Sequence, residues 1–389
     1  MTKILYFYPD NPLNLNQGNN ARANKLLDYF KSRDIVVDFV GEHKTKYAER
    51  ENFKQEDIVE LEKSKLINKG YLLRERKRSG LIYLFKHSIP KSLSKNSKYF
   101  DALGVGQQAD FENILKVNTY DYIIISYVLY TGLIANKKLL KGAKLIVDTH
   151  DFFTAQFNSK KHYNLGKAFE TELKLLAKYN AIWSISNDES FIFTQFLPSK
   201  NILTVAHGEK NNFTIANEVK KDIDLFYIAS KNPHNVKAAK WFFNKVYPLL
   251  PEDYKITVVG RICDEIPDLK NVTKIRFAEN IDSYYKSCKM TICPMLTGTG
   301  LKIKVVESLS YAKPVVCNER GVDGLLCKMN NGCLVTNEPI EFADYIKKLL
   351  GDNDFYENQV AFAKDFFEKT LDEKVVFSNL DTFFGLKKQ

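Results

Sequence analysis

Residues 295–324 read MLTGTGLKIKVVESLSYAKPVVCNERGVDG, and this segment contains the pattern that decides the fold of the chain. A Gly-Thr-Gly turn at 298–300 precedes an amphipathic helix, and Pro314 opens an apolar strand that ends at Cys317. In α/β proteins, such a turn offers backbone N–H groups and the positive end of a helix dipole to phosphate. The segment therefore predicts a parallel sheet with a phosphate-binding loop.

The helix of this segment has one apolar and one charged face. Four apolar side chains recur at helical spacing and are expected to pack on a sheet: Leu301, Val305, Leu309 and Ala312. Lys302, Lys304 and Glu307 remain near the loop, where two cations suit a diphosphate and a carboxylate suits the paired hydroxyls of a ribose. A surface helix with a Lys304–Glu307 ion pair and solvated lysines explains the same spacing.

Composition sets wide limits on the fold and the partners. A chain of 389 residues exceeds what one hydrophobic core usually serves, so two domains are expected. The net charge of +10 favours an anionic partner, which can be a nucleotide, a nucleic acid or an acidic membrane.

No apolar run is long enough to span a bilayer, and the first residues lack the apolar core of a signal peptide. The six cysteines form no CxxC pair, which predicts free thiols in a reducing cytosol and no metal site.

The N-terminal half begins with a strand at 3–8, a turn-rich loop at 9–20 and a helix at 21–32. Gly18 and Arg22 lie at the mouth of this loop. A glycine lets a ligand approach the backbone, and an arginine in the first helical turn can meet an anion. A simple turn glycine and a solvated arginine are the alternative.

A second candidate position follows the strand predicted at 144–147, which ends in Asp-Thr-His-Asp at 148–151. Open α/β sheets carry their reactive groups at the carboxyl ends of the strands. His150 and Asp151 are therefore candidates for contact with a ligand. A structural hydrogen bond is the alternative role for His150.

Residues 43–116 interrupt this regular alternation and are predicted as charged helical pieces, one of them at 72–77. Within them, residues 74–91 mix lysine and arginine with leucine, isoleucine, tyrosine and phenylalanine. Such a stretch can lie on an anionic bilayer, or it can form a helix that packs on its own domain with solvated lysine heads.

A second alternation of strands and helices begins at residue 223 and closes with helices at 338–350 and 354–369. The predicted domains are 1–207 and 223–371, joined by a polar linker at 208–222. A C-terminal helix at about 372–389 is expected to pack back on the first domain. Two successive βαβ domains imply a ligand cleft between them.

The sequence resembles the GT-B glycosyltransferases of family 4, the group 1 transferases. The resemblance lies in four segments of the second half, in the Gly18 loop and in the 148–151 motif. The segments are residues 226–251, 258–260, 277–285 and 294–307 followed by Pro-Val-Val at 314–316. The resemblance covers essentially the whole chain. It implies two Rossmann-like, doubly wound β/α/β domains that face each other across a cleft, with the acceptor on the first domain and the donor on the second.

The resemblance also implies roles for single residues. Glu307 is similar to the carboxylate that binds the donor ribose, Lys302 and Lys304 to phosphate-side cations, and His150 to a histidine near the sugar. His150 and Glu307 are thus the catalytic candidates, and Arg22 and Asp151 are assigned to the acceptor or anion side. The further donor-binding candidates are Gly18, Lys231, Gly260, Glu279, Gly298, Thr299, Gly300 and Leu301.

Two departures from the family pattern concern the donor phosphates. Many relatives carry two glutamates separated by seven residues, and the first would fall at Thr299, which has no carboxylate. Where relatives often carry an arginine and a lysine after the first strand of the second domain, only Lys231 follows Ser230. Lys302 and Lys304 are expected to supply this charge.

The implied function is transfer of a sugar from a nucleoside-diphosphate sugar to an acceptor hydroxyl in the assembly of surface polysaccharide or another glycan. The resemblance implies a retaining outcome. No metal or cofactor is expected, because lysines and helix-terminal N–H groups can stabilise the charge on the departing diphosphate. A glycan or a lipid-linked acceptor is the expected partner, with no nucleic acid, in the cytoplasm and in peripheral contact with the inner face of the membrane. The alternatives are a non-hydrolysing sugar-nucleotide epimerase and a non-enzymatic binder of nucleotides or anionic polymers.

Overall fold

The chain forms two compact units, which a computed structural model describes over residues 1–14, 18–43, 53–76, 97–157, 163–213, 220–298 and 300–386. The first unit comprises Met1–Ile185 and Glu189–Thr204, and the second comprises Ser186–Asp188 and Val205–Gln389. Across the described residues, no helix combines the length and the apolar character that crossing a membrane requires.

The first unit contains a seven-stranded sheet with the strand order β3-β2-β1-β4-β5-β6-β7. Every neighbouring pair is parallel. The strands are β1 (Lys3–Phe7), β2 (Val36–His43), β3 (Lys69–Arg74), β4 (Tyr122–Ser126), β5 (Lys144–Asp148), β6 (Ala181–Ser184) and β7 (Asn201–Thr204). The order reverses direction between β1 and β4, and such a switch point is where ligands of open α/β sheets bind.

The helices that begin before residue 205 connect these strands. They are α1 (Gly18–Ser32), α2 (Gln55–Lys63), α3 (Ser97–Phe100), α4 (Gln107–Val117), α5 (Phe153–Gln156), α6 (Leu165–Leu176) and α7 (Asn187–Phe196). Two 3₁₀ helices, Val128–Ile134 and Lys137–Leu140, lie between β4 and β5. The central strands are buried on both faces, which explains their nearly continuous apolar sequences, such as YIII at the start of β4.

The second unit contains a six-stranded parallel sheet with the order β10-β9-β8-β11-β12-β13. Its strands are β8 (Ile223–Ile228), β9 (Ile256–Val259), β10 (Val272–Ile275), β11 (Cys288–Cys293), β12 (Val315–Cys317) and β13 (Cys333–Val335). Its helices are α8 (Pro233–Trp241), α9 (Asp282–Ser287), α10 (Ile303–Ser310), α11 (Pro339–Gly351), α12 (Asn353–Thr370) and α13 (Glu373–Phe384). A π-helical turn, Phe242–Val246, continues α8, and 3₁₀ helices cover Tyr247–Leu249, Arg261–Glu265 and Glu319–Val322.

The two units confirm the predicted α/β class with parallel sheets. The predicted helical piece at 72–77 is wrong, because residues 69–74 form β3, which pairs with β2 from Asp38↔Lys69 to His43↔Arg74. Pairing with a neighbouring strand overrides the local charged pattern. The short strand β13 was not predicted. The domain boundaries and the packing of the C-terminal helix stay predictions.

Most of the basic stretch at 74–91 lies outside the described residues. Of its arginines, Arg74 ends β3, and Arg76 forms an ion pair with Asp110 at 2.7 Å.

Candidate functional site

In the first unit, the strands β4 and β5 end side by side, because Ser126 and Asp148 are register partners. Soon after these ends, Tyr127 has φ of 65° and His150 has φ of 58°. Residues other than glycine rarely have backbone angles in this left-handed region. Strained backbone of this kind is concentrated at functional sites, where the surrounding structure holds it in place.

His150 is held by two polar contacts and by two aromatic rings. Its Nε2 lies 3.0 Å from Asp148 Oδ2 and 3.2 Å from Ser126 Oγ. Its ring stacks on Tyr127 with the centroids 4.4 Å apart and on Tyr8 with the centroids 5.5 Å apart. The residue is only 4% exposed, and its Nδ1 has no hydrogen-bond partner among the described residues.

Asp148 is also bound by Arg22. Its Nη2 lies 2.6 Å from Asp148 Oδ1, and its Nε lies 3.1 and 3.2 Å from the two carboxylate oxygens. Burial alone would raise the pKa of Asp148, but the Arg22 guanidinium and His150 outweigh it and hold the pKa well below its usual range. The sequence assigns Arg22 to an incoming anion, whereas in the structure it is bonded to a buried carboxylate.

The first turn of α1 also contacts the rings that enclose His150. Gly18 is the first residue of α1. The Nδ2 of Asn19 donates a hydrogen bond of 2.9 Å to the Tyr127 hydroxyl, and the Tyr8 hydroxyl donates one of 2.5 Å to Asn20 Oδ1. The helical turn that begins at Gly18 and the predicted histidine therefore contact the same two tyrosine rings. Asp151, directly after His150, is half-buried.

In the second unit, Glu307 lies on α10 and is fixed by a residue of α9. The Tyr285 hydroxyl donates a hydrogen bond of 2.8 Å to Glu307 Oε2. Tyr285 is 1% exposed and stacks on Tyr311 with the centroids 5.2 Å apart. Burial raises the pKa of Glu307 to about 7.

Lys304 contacts neutral groups, and no ion pair joins it to Glu307 within the described chain. Its Nζ donates a hydrogen bond of 3.0 Å to Asn235 Oδ1 and lies 5.8 Å from the centroid of the Tyr227 ring. The Nδ2 of Asn235 donates in turn to the Ser230 carbonyl at 2.9 Å, just after β8. Burial lowers the pKa of Lys304. The solvated i,i+3 ion pair that the spacing also allowed is therefore wrong.

Lys302 is the residue before α10 and is 8% exposed. Its Nζ donates a hydrogen bond of 2.6 Å to the Gly300 carbonyl, and burial lowers its pKa. A cation that has lost much of its hydration interacts more strongly with an anion than a solvated one does. Lys302 and Lys304 thus suit a phosphate group that approaches the start of α10.

The glycine turn has the backbone geometry that its sequence predicts. Gly298 and Gly300 have φ of 97° and 76°, in the left-handed region that favours glycine. The Thr297 hydroxyl lies 2.9 Å from His234 Nδ1, which ties the turn to the first turn of α8. Leu301 is buried at the end of the turn. The predicted donor contact Thr299 lies outside the described residues.

Gly260 follows β9 with φ of 109°, and an added Cβ would come within 2.2 Å of the Ala229 carbonyl oxygen. No side chain fits at this position.

Among the described residues, neither Lys231 nor Glu279 forms a hydrogen bond or ion pair with Lys302, Lys304 or Glu307. The Nζ of Lys231 lies 2.7 Å from Glu265 Oε1, and the side chain is 43% exposed. Glu279 is exposed, two residues after Phe277, which is 76% exposed. Their predicted roles toward the donor stay predictions.

Several residues that build the two clusters were missed by the sequence analysis: Ser126, Tyr127, Asp148, Asn235 and Tyr285. Asp148 carried a signal, since it is the last residue of its strand and begins the Asp-Thr-His-Asp motif. Asn235 and Tyr285 lie in the matched segments 226–251 and 277–285 but were not singled out, because their importance comes from partners that are distant in sequence.

The described residues contain no group of three or more His, Cys, Asp or Glu side chains that could hold a metal ion. Asp224, an acidic residue near the start of β8, is bonded within the protein: it accepts hydrogen bonds from Lys289 Nζ at 2.7 Å and from the Lys255 backbone N–H at 2.8 Å. The expectation that no metal or cofactor takes part stays a prediction.

Comparison with known families gives one match, in the second unit. Residues 222–352 match the family described as "Glycosyl transferases group 1". The match includes every predicted donor-binding position except Gly18. It confirms the resemblance that the motifs of the second half indicated.

Similar proteins extend the comparison to the whole chain. An uncharacterised 44.6 kDa protein in the cps region of Klebsiella pneumoniae is 23% identical over 413 residues, which cover 98% of this chain and 99% of the relative. HepE from Anabaena, solved in complex with UDP, has a TM-score of 0.70 at 13% identity and covers 99% of this chain and 100% of its own.

A variant of S. aureus TarM, solved with Fondaparinux, alpha-GlcNAc-glycerol and UDP, has a TM-score of 0.63 at 15% identity, with 99% of this chain and 100% of its own covered. At these identities the likeness shows the fold alone, that of two Rossmann-like domains of the GT-B type.

Proposed function

We infer that this chain, whose residues 222–352 match the group 1 glycosyltransferases, transfers a sugar from a nucleoside-diphosphate donor to an acceptor hydroxyl. The cluster around Glu307 carries the proposal. It combines a fixed carboxylate with two partly dehydrated lysines and a glycine turn at the start of α10. HepE, whose fold is similar, was solved with UDP and with UDP-glucose, which supports a nucleotide sugar as the donor.

Each group of this cluster has a chemical task in the proposal. The Glu307 carboxylate, fixed by Tyr285, accepts hydrogen bonds from the two ribose hydroxyls. When the bond between the sugar and the diphosphate breaks, its electron pair goes to the diphosphate as leaving group. Lys302, Lys304 and the backbone N–H groups of the turn stabilise this developing charge.

The acceptor hydroxyl forms the new bond to the sugar and loses its proton. His150, in the first unit, positions the donor sugar or assists this proton transfer. We propose a retaining outcome, as the resemblance implies. Metal independence is proposed because lysines and N–H groups can carry the charge that a metal ion would otherwise neutralise.

A role in the assembly of surface polysaccharide or another glycan is supported by the Klebsiella pneumoniae relative in a cps region. A saccharide or lipid-linked acceptor is proposed, and the TarM complex with Fondaparinux and alpha-GlcNAc-glycerol supports the saccharide. The cytoplasmic location and the membrane contact through residues 74–91 stay predictions.

A screen of nucleotide sugars by thermal shift, followed by product analysis with and without acceptors, tests the proposal. We expect free nucleoside diphosphate only when an acceptor is present. Glu307→Ala should weaken binding of the best nucleotide about 10- to 100-fold, since hydrogen bonds to a charged group contribute about 1.5–3 kcal/mol. Glu357→Ala, an exposed glutamate on α12, is the matched control and should bind as the wild type does.

Three outcomes would contradict the proposal. Isomerisation of the donor without acceptor would favour the epimerase. Salt-sensitive binding of nucleic acid without any nucleotide-sugar binding would favour the non-enzymatic binder. Unchanged donor binding and turnover in Glu307→Ala would refute the site assignment.

A further inference from the structure

The two ring nitrogens of His150 have different surroundings. Nε2 faces Asp148 Oδ2 at 3.0 Å and Ser126 Oγ at 3.2 Å. Nδ1 is buried and has no hydrogen-bond partner among the described residues. An ionised carboxylate accepts hydrogen bonds and cannot donate them, so a neutral imidazole meets Asp148 favourably only when Nε2 carries the proton.

Asp148 is kept in the ionised form by its other neighbour. The Arg22 guanidinium lies 2.6 Å from one carboxylate oxygen, and the two side chains are 2% and 0% exposed. A buried carboxylate requires such a partner, because an unpaired charge in the interior is costly. The result is a chain of contacts from Arg22 through Asp148 to His150.

The orientation of the imidazole ring is fixed by contacts other than those that determine which nitrogen carries the proton. Tyr127 and Tyr8 both stack on it, each with an interplanar angle of 25°. Asn19 holds the Tyr127 hydroxyl, and Asn20 holds the Tyr8 hydroxyl. Arg22 lies on the same turn of α1 as these two asparagines, so one helical turn constrains both the orientation of the ring and the partner of Nε2.

We propose that Asp148, held by Arg22, is a positioning residue that keeps His150 in the Nε2-protonated tautomer and leaves Nδ1 as a hydrogen-bond acceptor. A ligand group that meets Nδ1 must then be a donor, such as a hydroxyl, and not a phosphate or carboxylate oxygen. The tautomer is a property of the folded chain alone. Its effect on turnover rests on the proposed function.

The first test measures the tautomer directly. Long-range ¹H–¹⁵N correlation spectra of ¹⁵N-histidine-labelled protein, recorded at a pH where the imidazole is neutral, distinguish the two tautomers. The signals of His150 among the six histidines are assigned by their absence in His150→Gln. We expect the Nε2–H pattern. An Nδ1–H pattern in the wild type would overturn the inference and leave the proposed function standing.

The second test exchanges the carboxylate for an amide of the same shape. In Asp148→Asn the amide can donate to Nε2, so the Nδ1–H form should appear in the spectrum. With the best donor and acceptor, kcat should fall on the order of 100-fold while KM for the donor stays within about threefold. A loss that lies in KM alone, or an unchanged tautomer, would overturn the inference.

Asp38→Asn is the matched control for this exchange. Asp38 is a buried aspartate of β2 that accepts from the Tyr120 hydroxyl at 2.8 Å and from Asn68 at 2.7 Å, and Lys3 lies 3.1 Å away. It should keep the wild-type tautomer, and kcat should stay within about twofold. Equal losses of kcat in both variants would show a general structural effect and overturn the inference. If Asp148→Asn does not fold, the wild-type spectrum decides.

Discussion

The charges are balanced differently in two clusters: the first cluster surrounds His150, and the second cluster surrounds Glu307. Around His150, the buried Asp148 has a full opposite charge in Arg22, at 2.6 Å. Around Glu307, the carboxylate accepts from a tyrosine hydroxyl, and Lys304 donates to an asparagine amide. Opposite charges are thus matched inside the first cluster, whereas Glu307 and Lys304 each face a neutral partner.

The difference indicates what each cluster is built to do. A matched pair of charges gains little from a further ion, and its benefit is a fixed geometry for the neighbouring histidine. Burial makes the charged forms of Lys302, Lys304 and Glu307 less favourable. It is the main cause of the lowered pKa values of the two lysines and of the raised pKa of Glu307. A diphosphate would relieve that cost for the two lysines. This difference is why we propose that the first cluster orients and the second binds.

The largest effect is expected where the matched pair is broken. Arg22→Met leaves Asp148 buried without its counter-charge and should lower the free energy of unfolding by about 3–5 kcal/mol. The double variant Arg22→Met/Asp148→Asn removes both charges and should regain much of this loss. Urea unfolding measures both.

The matched control for that prediction is Arg76→Met. Arg76 pairs with Asp110 at the surface, where the two side chains are 61% and 29% exposed. Its loss should cost less than about 1 kcal/mol. Equal costs for Arg22→Met and Arg76→Met would show that the buried pair is not what distinguishes the first cluster.

In the second cluster, removal of a charge should affect binding more than stability. Lys304→Met should weaken binding of UDP about 100-fold, because a charge-assisted hydrogen bond to phosphate is lost. The free energy of unfolding should change by less than about 1 kcal/mol, since the substitution also removes a partly dehydrated cation. Calorimetric titration and urea unfolding measure the two quantities. Lys237→Met, an exposed lysine of α8, should change neither.

The raised pKa of Glu307, about 7, predicts a specific dependence of stability on pH. Between the ordinary glutamate pKa and about 7, the folded state retains a proton that the unfolded state has released. Its contribution is therefore fully present at low pH and is lost as the pH rises through 7. Across this window, Glu307→Gln should remove about 3 kcal/mol of the fall in unfolding free energy.

That difference is measured by urea unfolding at several pH values. Two other buried carboxyls with raised pKa values, Glu172 and Glu189, are unchanged in the variant, so the difference between the two curves isolates Glu307. Parallel curves for the wild type and Glu307→Gln would contradict the assignment.

The smallest effect concerns the residue that fixes Glu307. Tyr285→Phe removes only the hydroxyl that donates to Oε2 at 2.8 Å. Binding of UDP should weaken about fivefold, since one oriented hydrogen bond contributes about 1 kcal/mol. Tyr345→Phe, which removes a hydroxyl that donates to Glu341 at 2.9 Å, serves as the control. Equal titration curves for both variants would show that Tyr285 does not orient the carboxylate.

Much of the fold was predictable from the sequence, because buried parallel strands are nearly continuous apolar runs between turn-forming loops. The glycines at 298 and 300 and the position of Glu307 on the charged face of a helix were also predictable, because both are local properties of the sequence. The role of Glu307 stays a prediction. The strand β3 was not found, because its stability comes from pairing with β2 and its own sequence is charged. Three-residue strands such as β13 are too short to show a period.

The partners of the candidate residues were not predictable. Arg22 and Asp148 are 126 residues apart in sequence, and Tyr285 and Glu307 are 22 apart. Contacts of this kind depend on the tertiary arrangement, which a single sequence does not display. For this reason the sequence reading assigned Arg22 to a ligand, while the structure bonds it to Asp148.

Titration of UDP into the wild type, Lys304→Met and His150→Gln, with sugar transfer measured beside it, tests two roles at once. It asks whether the second cluster binds the nucleotide and whether the first cluster acts in sugar transfer instead. We expect His150→Gln to bind UDP within about twofold of the wild type but to lose sugar transfer, and Lys304→Met to lose about 100-fold in UDP affinity. Wild-type UDP affinity in Lys304→Met, or an equal loss in His150→Gln, would contradict these roles.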